Sequence, residues 1–133
     1  MKIIAFQHTT PALLAGRKTR TRRKWKDSYA RRFKVGDICQ AYDKSPRVGG
    51  RRVGFIKITG LKQADIKDML DGEFEDEGFA YLDEHGLKIW GKKPVFAWID
   101  WRNEGGIYWV VDFVLIRPDD YEKNNIWMIK KTK

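Results

Sequence analysis

The chain is poor in the residues that staple small folds together. It carries one cysteine, Cys39, and two histidines, His8 and His85, in 133 residues. A lone cysteine excludes an internal disulfide and a four-cysteine zinc site. Two distant histidines and one cysteine argue against a metal centre, and no cofactor is expected. No apolar run approaches the roughly 20 residues that cross a bilayer. Met1 to Phe6 is too short an apolar stretch for a signal peptide and reads as a first strand. A basic helix with a broad apolar face is also missing, which speaks against a membrane partner. There is no internal repeat or low-complexity tract. These absences predict a cytoplasmic protein in which Cys39 is a small core residue.

Acids are scarce where bases are dense. Residues 1–60 hold 16 Lys and Arg against three acids, a balance of +13. Residues 61–133 hold 11 bases and 15 acids, within a formal net charge of +9 for the whole chain. A surface charged only for solubility would not divide this way. Lopsided positive charge predicts a footprint for a polyanion, most often nucleic acid.

What the chain does have is bulk for a core. Hydrophobic residues make up 42% and aromatics 14%, far from the composition of a disordered chain. The length fits a single domain, 1–133, with a core at about 1–117 and a C-terminal extension at 118–133.

Local signals divide the chain. Lys2 to Phe6 is β-prone. Thr10 can cap a short helix with Pro11 at its start and Gly16 at its left-handed exit. Lys18 to Trp25 is extended, and Asp27 can cap a second short helix reaching Phe33. Asp37 to Asp43 and Arg51 to Thr59 read as strands around a loop at Lys44 to Gly50, with a possible bulge at Gly54. Ile66, Met69 and Leu70 give helical spacing within Gln63 to Leu70. Glu73 to Phe79 reads as an acidic loop, and Phe79 to His85 as a helix ended by Gly86. Residues 94–103 fit a strand or a helix; Asn103-Glu104-Gly105-Gly106 favours the helix. Ile107 to Ile116 is the clearest strand, and Trp127 and Met128 suggest a last short strand. Strands at short spacing interrupted by short helices imply an α+β fold, a small β-barrel with helices over its ends.

The densest basic run is Gly16-Arg17-Lys18-Thr19-Arg20-Thr21-Arg22-Arg23. It resembles the Gly-x-Lys-x-x-Thr-x-Arg signature of the ASCH family, a branch of the PUA-like β-barrels. Gly16, Lys18, Thr21 and Arg23 fill all four positions. Gly36-Asp37 and Glu77-Gly78-Phe79 follow in the family's order. The resemblance implies a cleft for RNA or a modified nucleoside. Some small bacterial members hydrolyse the amide of acetylcytidine with a Lys, a Thr and a Glu, and another member has been linked to cutting RNA. By position, Lys18, Thr21 and Glu77 are the implied catalytic residues. The loop at Lys44 to Gly50 and the Trp-rich region 86–106 depart from the small amidohydrolases.

The residues carry their own chemistry. A Thr hydroxyl attacks only when a base takes its proton. A Lys serves as that base only if burial or nearby cations depress its pKa. Arg17, Arg20, Arg22 and Arg23 are cations in sequence, Glu77 can orient the lysine or carry a proton, and backbone amides after Gly16 can hold an oxyanion. The plainer reading is a non-catalytic RNA-binding surface of Gly16, Arg17, Arg20, Arg22 and Arg23, with Trp25 as a stacking platform. The other tryptophans are expected in the core, His8 at the surface and His85 in a structural role.

Overall fold

The computed structural model describes residues 1–117; the expected strand around Trp127 and Met128 and the extension from 118 onward lie outside them. The elements in chain order are β1 (Ile3–Ala5), a 3-10 turn at Gln7–Thr9, α1 (Thr10–Leu14), β2 (Arg20–Arg23), α2 (Asp27–Ala30), β3 (Ile38–Tyr42) and a 3-10 turn at Pro46–Val48. Then come β4 (Arg52–Asp65), a 3-10 turn at Ile66–Asp68, α3 (Glu73–Asp76), α4 (Phe79–Glu84), α5 (Pro94–Glu104) and β5 (Ile107–Ile116).

The fold class is α+β. The strands form one five-stranded sheet in the order β1-β3-β4-β5-β2, so among the described residues the sheet stays open where a closed barrel was expected. Only β1 and β3 pair in parallel; the other three pairings are antiparallel. The two longest strands, β4 and β5, are neighbours near the centre. Their residues are rich in β-branched and aromatic side chains, which pack well on a pleated surface. β4 slips register between Ile58 and Gly60 against β5, and β3 slips between Ala41 and Tyr42 opposite Gly54 and Arg52. The second slip falls beside the expected bulge at Gly54.

Four local expectations are corrected, the first of them by tertiary pairing. The helix foreseen over Gln63 to Leu70 is absent. β4 instead runs on to Asp65, because Gln63, Ala64 and Asp65 pair with Trp109, Tyr108 and Ile107. The helical spacing of Ile66 and Met69 came from their burial on either side of a tight turn. The acidic stretch read as a loop begins with the short helix α3. Thr10 is the first helical residue rather than the cap of α1; Thr9 holds the cap position, its hydroxyl turned back to donate to Phe6 O at 2.8 Å. Likewise Lys26, not Asp27, caps α2. The ambiguous segment 94–103 lies in a helix, α5, which leaves through Gly105 at a φ of 70°.

Two apolar clusters hold the fold. One joins Ile4 and Phe6 to Leu13, Phe33, Cys39, Ile56, Val111 and Phe113, with Cys39 fully buried as expected. The other gathers Ile66, Met69, Phe79, Leu82, Ile89 and Trp98 beneath α4 and α5. The segment 16–23 runs along their seam. Thr19 N donates to Asp76 O, and Thr19 O accepts from Phe113 N, so this segment is tied to α3 on one side and β5 on the other.

Gly78 makes that seam possible. Its φ of +90° is a conformation L side chains rarely adopt, and an added Cβ would lie 2.8 Å from Ala12 Cβ and 3.2 Å from Lys18 Cβ. Both constraints bring the α3–α4 junction against α1 and Lys18. Gly78→Ala should therefore lower stability by about 1–3 kcal/mol, read as a shifted midpoint in urea denaturation. An unchanged midpoint would show that the close approach is not needed.

Candidate active site

Gly16 starts the site. With φ at +77° it ends α1 so that the amides of Arg17 and Lys18 both donate to Ala12 O at 3.1 Å. The chain turns, and Lys18 enters the interior, 3% exposed. The same bonds answer a question raised by the sequence. The amides of Arg17, Lys18 and Thr19 are all engaged within the fold, so they do not form an oxyanion hole.

β2 then sets side chains on alternate faces. Thr21 and Arg23 share one face, where Arg23 Nε donates to Thr21 Oγ1 at 3.1 Å. Glu77 arrives from the end of α3, where it occupies the C-cap position. Lys18 Nζ donates to Glu77 O at 2.6 Å and lies 3.6 Å from Glu77 Oε1. Arg22 Nη1 donates to Glu77 Oε2 at 2.5 Å. Lys18, Thr21 and Glu77 thus meet along one cavity, each at most 4% exposed.

Burial sets the electrostatics. It lowers the Lys18 pKa to about 8, against the pull of Glu77 and with help from Arg23 and Arg22. Burial also pushes the Glu77 carboxyl up, opposed by Lys18 and Arg22. Arg23 is pushed down to about 10 by burial, so it remains a cation at neutral pH. Among the described residues Arg23 makes no ion pair, and its guanidinium lines the cavity.

The other arginines of the segment are matched inside the fold. Arg17 makes a fork to Glu75 at 2.9 and 2.8 Å and also bonds Glu84. Arg20 bonds Asp112 at 2.5 Å and Glu73 at 2.6 Å. Arg22 bonds Glu73 as well as Glu77. The arginines expected to lie free on a surface for RNA are therefore mostly held in intramolecular ion pairs, exposed at Arg17 and buried at Arg22. Gly16 itself is a turn residue and does not line this cavity. Trp25 is no open platform either: it stacks on Phe33 at 4.2 Å and packs against the first core.

The cavity has a volume of about 370 Å³, within the usual size for small-molecule sites. Its polar wall is Lys18, Thr21, Arg22, Arg23 and Glu77. Its rim includes Gln7, His8 and Thr9, and its apolar wall Phe6, Phe79, Ile89, Trp90 and Trp101. His8 is exposed, as expected, yet stands at the mouth. Trp90 was expected in the core and is instead exposed at the cavity; Trp101 packs half-buried against the second core while lining the cavity, and Trp98 is buried as expected. The Trp90-Gly91 dipeptide, a turn signal, was the available hint. Among the described residues no cluster of His, Cys, Asp and Glu is arranged to hold a metal, and no helix is long and apolar enough to cross a membrane.

Similar folds exist among solved structures. Protein EF3133 from Enterococcus faecalis, assigned to the family model DUF984, superposes with a TM-score of 0.55 at 12% identity, over 87% of this chain and 80% of that one. This likeness shows the fold. A tyrosine-to-phenylalanine variant of ZmASCH from Zymomonas mobilis matches at a TM-score of 0.46 and 11% identity, over 92% of this chain and 77% of that one, too loosely to carry an argument. No family model and no curated protein sequence matches the chain.

The ion pairs differ in what they hold. Arg22→Ala removes the hydrogen-bonded partner of the buried Glu77 carboxylate, leaving Lys18 at 3.6 Å, and should cost about 3–5 kcal/mol. Arg17→Ala removes a solvent-exposed fork and should leave the denaturation midpoint close to the parent's. Equal losses in the two variants would contradict this division.

Proposed function

We propose that the protein hydrolyses the amide of an acylated nucleoside, of the acetylcytidine kind, with Lys18 as base and Thr21 as nucleophile. One observation carries the reading: a buried lysine with its pKa lowered to about 8 shares a cavity with a buried threonine hydroxyl. The motif Gly16, Lys18, Thr21, Arg23 supports the choice of substrate through its resemblance to the ASCH amidohydrolases.

Neutral Lys18 takes the Thr21 proton as Thr21 Oγ1 bonds to the acyl carbon. The carbonyl electron pair moves onto oxygen, where Arg23 supplies the positive charge that the backbone amides do not. Collapse breaks the carbon–nitrogen bond, and the departing amine takes the proton from the Lys18 ammonium. Water then adds to the Thr21 ester, gives its proton through Lys18 to the Thr21 oxygen, and leaves with the acyl group as the acid. Glu77 holds the lysine in place throughout and needs no proton of its own, because Lys18 is both base and acid.

Turnover of N4-acetylcytidine to cytidine is the test. Lys18→Ala should lower kcat/KM at least about 100-fold. In the parent, kcat/KM should rise with pH and level off above about 8, since only neutral Lys18 accepts a proton. No turnover by the parent, or a flat profile from pH 6 to 9, would overturn the assignment.

A second reading, RNA binding, keeps one specific support. Lys24, Lys26, Arg31 and Arg32 after the motif, and Lys44, Arg47, Arg51 and Arg52 on the β3–β4 hairpin, make no ion pair among the described residues. The hairpin begins at the cavity rim, where Gln7 N donates to Asp43 O at 2.8 Å. If RNA crosses these groups, affinity for a single-stranded oligonucleotide falls with salt, by roughly 0.7 log units per log unit for each phosphate neutralised. A slope near zero would leave the free nucleoside as substrate.

A further inference from the structure

Trp90 occupies a conformation its side chain does not favour. Ile89 and Lys92 exchange both backbone hydrogen bonds at 2.9 Å, closing a two-residue turn around Trp90 and Gly91. Both turn residues have positive φ, +52° at Trp90 and +75° at Gly91. Such turns favour Asn-Gly or Gly-Gly, because a left-handed backbone crowds a large side chain. Strain of this kind persists where the surroundings enforce it, and it clusters at ligand sites.

The ring is not spent on core packing. Trp90 is 54% exposed, although it touches the aromatic cluster edge-on, with centroids 6.1 Å from Phe79 and 5.9 Å from Trp101. It lines the 370 Å³ cavity that holds Lys18 and Thr21, and also a neighbouring cavity of about 300 Å³ bounded by Trp101 and Tyr108. A strained turn therefore presents an open indole at the wall of the reactive cavity. Phe79 and Trp101, parallel to within 9° at 5.9 Å, stand behind it.

We infer that Trp90 is the stacking platform for the substrate's base and selects a planar heteroaromatic amide over an aliphatic one. The inference rests on the acyl-nucleoside reading above, and names the group that would recognise the base. Stacking suits this task because every nucleobase offers a π face. It leaves the exocyclic nitrogen at the base edge free to reach the polar wall.

The experiment uses cytidine binding as well as turnover. Trp90→Gly should weaken cytidine binding roughly 5- to 150-fold and raise KM for N4-acetylcytidine similarly, with a smaller change in kcat. Trp90→Phe should restore part of both. Hydrolysis of an aliphatic N-acetyl amine should fall far less than that of N4-acetylcytidine. Glycine accepts the positive φ freely, which offsets the lost edge contacts with Phe79 and Trp101, so the Tm of Trp90→Gly should stay close to the parent's. A cytidine Kd within twofold of the parent's overturns the proposal. So does a large drop in Tm accompanying the loss, which would make Trp90 a structural brace. If the parent binds cytidine through Trp90 but hydrolyses no acyl nucleoside, the platform stands and the hydrolase reading falls. If it binds no cytidine, the platform falls.

Discussion

Lys18 and Glu77 lie 59 positions apart in the chain, and their contact fixes how the two halves of the domain meet. Removing an ammonium and a carboxylate from water is expensive, and their attraction repays this only with good geometry and further hydrogen bonds. The fold supplies both. Lys18 bonds the Glu77 carbonyl, Arg22 bonds its carboxylate, and Gly78 leaves room for the approach. The residual imbalance, from burial and with Arg22 and Arg23 nearby, lowers the Lys18 pKa to about 8.

The strong local signals were readable from the residues alone. Pro11 and Gly16 marked the short helix α1, and the alternating β-branched and aromatic residues marked β5 over Ile107–Ile116. Other features depended on partners far along the chain. The end of β4 is a strand because β5 lies beside it, although its own residues suggest a helix. Closure of the sheet could not be read from strand spacing, since spacing says nothing of which edges meet.

The resemblance named Lys18 and Thr21 from the motif and Glu77 from the Glu-Gly-Phe element, and the three line one cavity. Charge counting did not show how the arginines are paired. The excess of base in the first 60 residues and of acid in the remainder looked like a divided surface, yet Arg17, Arg20 and Arg22 find Glu73, Glu75, Glu77 and Glu84 across the fold. A sum along the chain cannot see such pairing. Trp90 was missed for a related reason: its importance lies in a backbone angle, and tryptophan in a small domain ordinarily reads as core.

The order of the sheet carries a further consequence. Among the described residues its long strands, β4 of 14 residues and β5 of ten, lie inside, while the two edges are β1 of three residues and β2 of four. A free strand edge is a template on which another chain can add. Here one edge is too short to template much. The other consists of Arg20, Thr21, Arg22 and Arg23, whose charges an incoming strand would have to desolvate or displace from their acids. The segment that carries Thr21 thereby also hinders another strand from adding at this edge, whether or not its arginines touch a ligand.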